Sequence, residues 1–486
     1  MRITLLSLLH LIPWRSVVEG FRRPQRPFIL LVDPVDDYGT ATRIEERALE
    51  DEVDVVRVYS EGISRLFKLE SMSSDQLADL EEQTVRSIDE ALLKDLPSEL
   101  CLGVLCESDT GLRLAEELGS AILPRLYNSR SSRRDKFLQQ AELKAAGLRS
   151  IRTLLTEDWE EARAFLTLTS GDMVGRPCVL KPSRGSASVG VTKACTLTEA
   201  ETQFRGLLVS PFNLGFSNGT LQRHVLVQEY IAGPVELAID TVSLNGKHKI
   251  TASWRYDKRE LNGAPFVYFA SEAVDEKFLR FDADPSSEAS SVNLSSVHSY
   301  VSAVLDALGV LSGPCHIEVI WASDGSPVLV EANVGRFHGQ DFIGICNLVW
   351  GCNSVDLSID ALYMAGTAAA KKLPPALLAK ASASWSAVAN SHGNLRCFGR
   401  IAHLSSHVEG TLSEPPLADE ESLREVMPSL FVWRPFYQGK VGERVEKTVD
   451  LRTAAGYALL VSQSLEEISQ DYNNLVAFQR EWLVVS

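Results

Sequence analysis

The stretch HIEVIWASDGSPVLVEAN (316–333) restricts what this chain can fold into more than any other. Two apolar-rich runs flank Asp324-Gly325, a dipeptide suited to a tight β-hairpin turn. With those two residues as the loop, Glu318 stands opposite Glu331 and His316 opposite Asn333. Side chains alternate faces along a strand, so all four project from one face. Two carboxylates directly opposite on a sheet repel. The conflict disappears if a hard divalent cation lies between them, and Asn333 supplies another oxygen donor. Oxygen donors favour magnesium or manganese over zinc. A solvated acidic face is the plainer reading, weakened here because Ile317, Val319, Ile320, Val328, Leu329 and Val330 make the hairpin apolar and central.

The rest of the chain frames that hairpin. From PFILLVDP (27–34) strands and helices alternate: a helix from about Thr40, strand VDVVRVY (53–59), a long acidic helix over about 73–94, strand CLGVLC (101–106) and helix LRLAEEL. Such alternation predicts a doubly wound, Rossmann-like parallel sheet. No GxGxxG follows the first strand, so a dinucleotide fingerprint is missing. A basic knot at 130–136 opens helix DKFLQQAELKAAG, with Gly147 as its C-cap. From 178 hairpins take over, including ELAIDTVSLNGKHKITASWRY folded at Asn245-Gly246, with helices over 197–208 and 293–309. That turn sets Arg255 opposite Glu236, an ion pair that competes with a substrate role for Arg255. The stretch TAAAKKLPPALLAKASAS reads as helix and linker. The last hundred residues make a smaller α+β unit, with strands at 396–404 and 455–462 and a helix near 464–483. The expected division is a leader or disordered segment (1–26), a Rossmann-like domain (27–126), a central α+β domain (127–370) and a C-terminal α+β domain (371–486).

Composition narrows the partners. The 486 residues carry 64 acidic against 48 basic side chains, a net charge of −16, which repels phosphate backbones and argues against a general nucleic-acid binder. Eight cysteines form no CxxC pair, as expected of reduced thiols in a cytoplasmic protein. No run of 18 apolar residues exists to span a membrane. The opening MRITLLSLLHLIPW, followed by several arginines, keeps organelle targeting open as a rival to an unstructured start or an N-terminal helix. Sequons at Asn218 and Asn293 mean little without a secretory route.

A phosphate-binding element is expected at VLKPSRGSASVGVTK (179–193). Gly185 and Gly190 have the offset of a P-loop, but Val191-Thr192 follow instead of Lys-Ser/Thr. Lys181 instead closes an apolar strand just before a Ser/Gly loop. Small residues there can fold over a triphosphate and lend backbone N–H groups, while the strand-borne lysine supplies fixed charge.

In their order, RRDKFLQQAELKAAG (133–147), VLKPSRGSASVGV, LVQEYIAGPVELAIDTVS (226–243) and GPCHIEVIWASDGSPVLVEANVGRFHG (313–339) resemble the ATP-grasp superfamily. The subgroup they resemble is carboxylate–amine ligases such as the bacterial L-amino acid ligases, together with CESDTGLRLAEEL and WRYDKRELNGAPFVYF (254–269). The resemblance implies an ATP-grasp fold with a Rossmann-like pre-ATP-grasp domain. It implies activation of a carboxylate, an amino acid, as an acyl phosphate by ATP and magnesium, and displacement by an amine. Carried over, Lys136 and Lys181 hold phosphates under a loop with Gly185, Ser186 and Gly190. Glu229, Tyr230 and Ile231 match the hinge that reads adenine, and Glu236 an acid near the ribose, although GPVEL has one residue more than the commoner GxE. Glu318, Glu331 and Asn333 match the magnesium ligands, and Arg336 an arginine facing the reacting carboxylate. Arg255, His316 and His338 flank the proposed metal and are candidates for substrate contact. A plain structural role, as a satisfied strand histidine, explains His316 equally well.

Other readings remain. A biotin-carboxylase-like enzyme would carboxylate from bicarbonate, and a non-catalytic ATP-grasp protein would bind ATP without ligation. GFSNG (215–219) fits the hydrolase pattern GxSxG, but turn-forming residues surround it where a strand and a helix are needed. A homodimer is the default assembly.

Overall fold

The computed structural model describes residues 24–34, 40–61, 84–85, 96–167, 177–182, 188–209, 224–281, 292–339, 342–388, 395–414, 420–437 and 440–486. The first unit is a parallel sheet of β1 (Phe28–Val32), β2 (Asp54–Ser60), β3 (Thr84–Val85) and β4 (Cys101–Cys106), ordered β3-β2-β1-β4. Every residue of β1 and β4 is buried, as unbroken apolar runs require when both faces are covered. Ile29 and Leu31 pack with Ile44 of α1 (Thr40–Glu50), whereas Leu30 and Val32 pack with Leu114 and Leu118 of α2 (Leu112–Ile122). The helix expected over 73–94 lies outside the described residues, except that Thr84–Val85 pair as strand with β2. The 1–26 leader lies outside them too, apart from 24–26.

Next comes α3 (Lys136–Ala145). The Asp135 side chain accepts from the N–H groups of Phe137 and Leu138 at its start, and Gly147 follows its end at φ 72°. An antiparallel sheet follows, made of β5 (Thr153–Thr156), β6 (Cys178–Pro182), β7 (Thr192–Ala194) and β8 (Val225–Glu229) in the order β5-β8-β6-β7. It buries Leu180 and Val227 against Trp159 of α4 (Trp159–Thr167) and Phe204 of α5 (Leu197–Val209).

The remaining strands are β9 (Val235–Leu244), β10 (Lys247–Leu261), β11 (Ala264–Ala273), β12 (Gly313–Trp321), β13 (Pro327–Val334), β14 (Phe398–Leu404), β15 (Gly410–Thr411), β16 (Leu430–Pro435), β17 (Arg444–Val445) and β18 (Gly456–Ser462). β15 and β17 pair with each other. The others form one eight-stranded sheet, β13-β12-β9-β10-β11-β14-β18-β16, which therefore runs across the expected boundary at 370/371. One face buries Leu237, Ile239, Ile317 and Val319 against α6 (Leu294–Ala307). Asn293 caps that helix by accepting from Ser296 N–H, so its amide is in structural use. On the other face, Trp254 meets Phe342 of α7 (Phe342–Val349) edge-on at 4.7 Å. α8 (Ser354–Met364) and α9 (Pro375–Ala387) join the core of the first unit, so much of the stretch read as helix and linker is packed helix. Arg47 of α1 binds Asp360 of α8 at 2.7 Å and its own Asp51 at 2.6 Å, a buried tie between the units. The chain closes with α10 (Leu465–Phe478). Among the described residues no single helix is long and apolar enough to cross a membrane.

Both hairpins expected from the sequence, β9–β10 and β12–β13, depart from regular pairing. At the tip of β12–β13, Ala322 N–H donates to Ser326 O and Gly325 N–H to Ala322 O, both at 2.9 Å, with Gly325 at φ 77°. The loop is therefore Ser323-Asp324-Gly325, one residue longer than expected. Trp321 pairs with Pro327 and Val319 with Leu329, and then Val330 is left unmatched. That β-bulge restores the expected pairs, Glu318 with Glu331 and His316 with Asn333. β9–β10 does turn at Asn245-Gly246, with φ 51° and 71°, but Thr251 is unmatched beyond it. Glu236 consequently pairs with Tyr256, not with Arg255.

Candidate active site

One cavity lies between the β5–β8 sheet and the eight-stranded sheet, about 920 Å³ including its open mouth. Lys136, Lys181, Glu229, Tyr230, Ile231, Glu236, Glu318 and Glu331 all line it. Each arrives for a local reason. Lys136 is the first residue of α3, and Lys181 is the last but one of β6. Glu229 ends β8, and its carboxylate accepts from Arg152 N–H at 2.9 Å, so that side chain is engaged at the end of the strand. Tyr230 carries the Lys193 ammonium over its ring at 4.2 Å. The GPVEL segment bends tightly over the hairpin tip before β9 begins. A Cβ on Gly233 would come within 2.1 Å of Trp321 O, and Ala232 O accepts from Ser323 N–H at 2.9 Å. Despite its extra residue, Glu236 faces the cavity.

The loop expected to cover the phosphates is described in part. Ser188, Val189 and Val191 line the cavity, and Gly190 has φ 71°, which favours glycine. Gly185, Ser186 and the GFSNG segment lie outside the described residues. Beyond Glu318 the same sheet face carries His316, whose Nε2 accepts from Asn333 Nδ2 at 2.9 Å. His338 stacks on His316 at 4.8 Å, and its Nδ1 lies 3.1 Å from Asp240. Burial, with His338 and Arg336 nearby, drives the His316 imidazole well below its usual range, so it is neutral. Arg336 Nη1 meets Asp109 of the first unit at 2.5 Å.

Arg255 requires a correction. The Thr251 bulge turns it to the opposite face of the sheet, where it pairs with Glu272, itself also bound by Arg400. It therefore flanks neither the cavity nor the acid pair, and the ion pair with Glu236 is not formed. Lys258 takes that place, with its ammonium 2.5 Å from Glu236 and 4.3 Å from the centre of the Tyr268 ring. The sequence reading missed Lys258, Tyr268 and Asp109. The alternation of Tyr256 and Lys258 was a usable signal only with the bulge known.

Cations and acids are interleaved here. Lys136 Nζ is 2.6 Å from Glu331. Burial pushes the Lys181 ammonium down to about 8; Lys136 adds to that push, while Glu331, Glu318 and Glu236 oppose it. Burial raises the Glu331 carboxyl, opposed by Lys136 and reinforced by Glu318. Burial also works against the Lys258 ammonium, but Glu236, Tyr268 and Glu318 outweigh it and raise its pKa. Such a cavity offers fixed positive charge to an anionic ligand and paired carboxylates to a cation.

Residues 174–343 match the ATP-grasp domain. The fold is ATP-grasp. Similar solved structures extend that likeness over nearly the whole chain. The L-amino acid ligase of Bacillus licheniformis superposes with a TM-score of 0.60 at 16% identity, covering 96% of this chain and 100% of that one. The N5-carboxyaminoimidazole synthase of Aspergillus clavatus, in complex with ADP and 5-aminoimidazole ribonucleotide, gives 0.55 at 12% identity, covering 93% and 98%. The phosphoribosylglycinamide synthetase of Anaerococcus prevotii gives 0.54 at 12%, covering 95% and 100%. No curated protein matches the chain in sequence. In this ATP-grasp fold the cavity lies between the four-stranded β5–β8 sheet and the β12–β13 hairpin.

Proposed function

We propose that this ATP-grasp protein is an ATP- and magnesium-dependent, ADP-forming ligase that joins a carboxylate, an amino acid, to an amine through an acyl phosphate. The observation that carries the reading is the convergence of Lys136, Lys181, Glu318 and Glu331 on one cavity that also holds the 229–231 hinge. Adenine would lie against Ile151, Val179, Ile320 and Phe266, read by the main chain of 229–231. Lys136, Lys181 and the turn 188–190 would hold the phosphates.

The donor set fits magnesium. Among the described residues no group of three or more His, Cys, Asp or Glu could hold a metal. Two carboxylates and an amide suit magnesium, which keeps waters and completes its shell with substrate phosphates. Manganese fits the same donors. His316 accepts from the Asn333 NH₂ group, which leaves the Asn333 carbonyl as its donor toward a cation. When bound, magnesium neutralises the phosphates and helps fix the γ-phosphoryl group for transfer.

The proposed reaction uses these positions. A carboxylate oxygen attacks the γ-phosphorus, the bond to the β–γ bridging oxygen breaks, and ADP leaves. The amine nitrogen then attacks the acyl carbon, phosphate leaves with the bonding pair, and the nitrogen loses a proton. Arg336, once released from Asp109, would stabilise negative charge on the acyl group.

Release of ADP across pairs of amino acids tests the reading. Turnover is expected only when ATP, magnesium, a carboxylate and an amine are all present, and Glu331→Ala should abolish it. Bicarbonate-dependent ADP release that needs no amine would contradict it.

A further inference from the structure

The carboxylate hairpin carries a structural problem of its own. Counted from its three-residue loop, β12–β13 would place Val330 opposite Glu318 and turn Glu331 to the face where Ile317 packs. The bulge at Val330 prevents this. At the bulge the adjacent residues Val330 and Glu331 both line the cavity. β13 is an edge strand, so no further strand fixes its register.

Side chains do so instead. The outward main-chain groups of a regular strand recur every second residue; here Leu329 and Ala332, three apart, are the ones engaged. The Gln139 amide grips Ala332 twice, donating from Nε2 to its carbonyl at 2.8 Å and accepting at Oε1 from its N–H at 3.1 Å. Gln140 Nε2 donates to Leu329 O at 3.0 Å, and the Tyr300 hydroxyl accepts from Leu329 N–H at 3.0 Å. The glutamines are themselves held. Gln139 Nε2 also donates to Arg133 O at 3.0 Å, and Gln140 Oε1 accepts from Ile151 N–H at 2.7 Å. Both are buried, at 1% and 4% exposure. They follow Lys136, the partner of Glu331, on the same helix.

We propose that Gln139 and Gln140 are positioning residues: they select the bulged register of β13 and thereby hold Glu331 opposite Glu318 on the metal-binding face. The proposal rests on the reading of those acids as metal ligands. Counted from the loop, an unbulged strand would keep Leu329 in its bracket and offer Gln139 the main chain of Glu331 in place of Ala332.

The test uses the full chain with Mn²⁺ and ADP as probes. Electron paramagnetic resonance reads free Mn²⁺, and hydrogen exchange reads the Leu329 and Ala332 amides. For Gln139→Leu, which keeps bulk and loses the hydrogen bonds, Mn²⁺ affinity in the presence of ADP should fall at least about tenfold. ADP binding in EDTA should stay within about twofold, and the Ala332 amide should exchange faster. Gln139→Glu keeps the acceptor for Ala332 N–H and should weaken Mn²⁺ binding less; it also serves if the leucine variant fails to fold. Unchanged Mn²⁺ affinity and unchanged Ala332 exchange in a folded variant would overturn the proposal. If the wild-type chain binds no Mn²⁺ with ADP, the metal reading fails, and the exchange data still decide whether Gln139 holds the register.

Discussion

Two hairpins of the central sheet, β9–β10 and β12–β13, make similar departures from regular pairing with opposite results. β9–β10 closes in a two-residue turn and then leaves Thr251 unmatched, so every later pair moves by one and Arg255 leaves the face of Glu236. β12–β13 has a loop one residue longer and then leaves Val330 unmatched. There the two departures cancel, and Glu318 meets Glu331. A bulge by itself exchanges the faces of a strand; a bulge with a lengthened loop restores them.

That contrast can be broken first at Val330. Inserting one residue after it should set the inserted residue opposite Glu318 and turn Glu331 toward Ile317, cut ADP release by about 10³-fold and destabilise the fold by about 3 kcal/mol for a buried, unpaired charge. Turnover assays and urea unfolding read both. In the other hairpin, Lys258→Met and Arg255→Met should separate the two faces. Losing Lys258 should lower kcat/KM for ATP roughly 10- to 100-fold. Losing Arg255 should change it by less than about twofold while costing about 1 kcal/mol of stability, since Glu272 keeps Arg400.

Two pH effects sharpen the comparison with smaller shifts. Lys181 is held near 8 by burial, so its ammonium is lost as pH rises through that value. Metal-free ADP affinity should fall about tenfold from pH 7 to 9.5, while adenosine affinity holds and Lys181→Arg flattens the profile. His298 bonds Ser253 just past the Thr251 bulge, at 2.9 Å, and burial lowers it to about 4. The unfolded chain, with an imidazole pKa of about 6.5, protonates first on acidification. Stability is therefore lost as pH falls from about 6.5 toward 4, by about 1.4 kcal/mol at pH 5.5. Urea unfolding at pH 7 and 5.5 measures that loss, and His298→Phe should remove it.

Much of the fold was legible because its signals are local. Unbroken apolar runs mark β1 and β4, Asn245-Gly246 marks a turn, and alternation around Asp324-Gly325 marks the acid pair. The bulges were not legible, because what holds the second one is Gln139 and Gln140 on a helix far away in the chain. The Glu318–Glu331 pairing was expected from a turn that is not formed; the bulge made it correct. Lys258 was hidden behind the Thr251 bulge. Asp109 reaches Arg336 from the turn after β4 in the first unit, and β14 extends the central sheet from beyond the expected domain boundary. Long-range pairings of this kind leave no periodic trace.

The central claim is that the cavity makes an acyl phosphate from a carboxylate before an amine displaces it. The direct measurement uses the amino acid pair that releases most ADP, with the carboxylate donor labelled with ¹⁸O in both oxygens. The account predicts that each inorganic phosphate released carries one ¹⁸O from that carboxylate. Unlabelled phosphate, with product still formed, would contradict it.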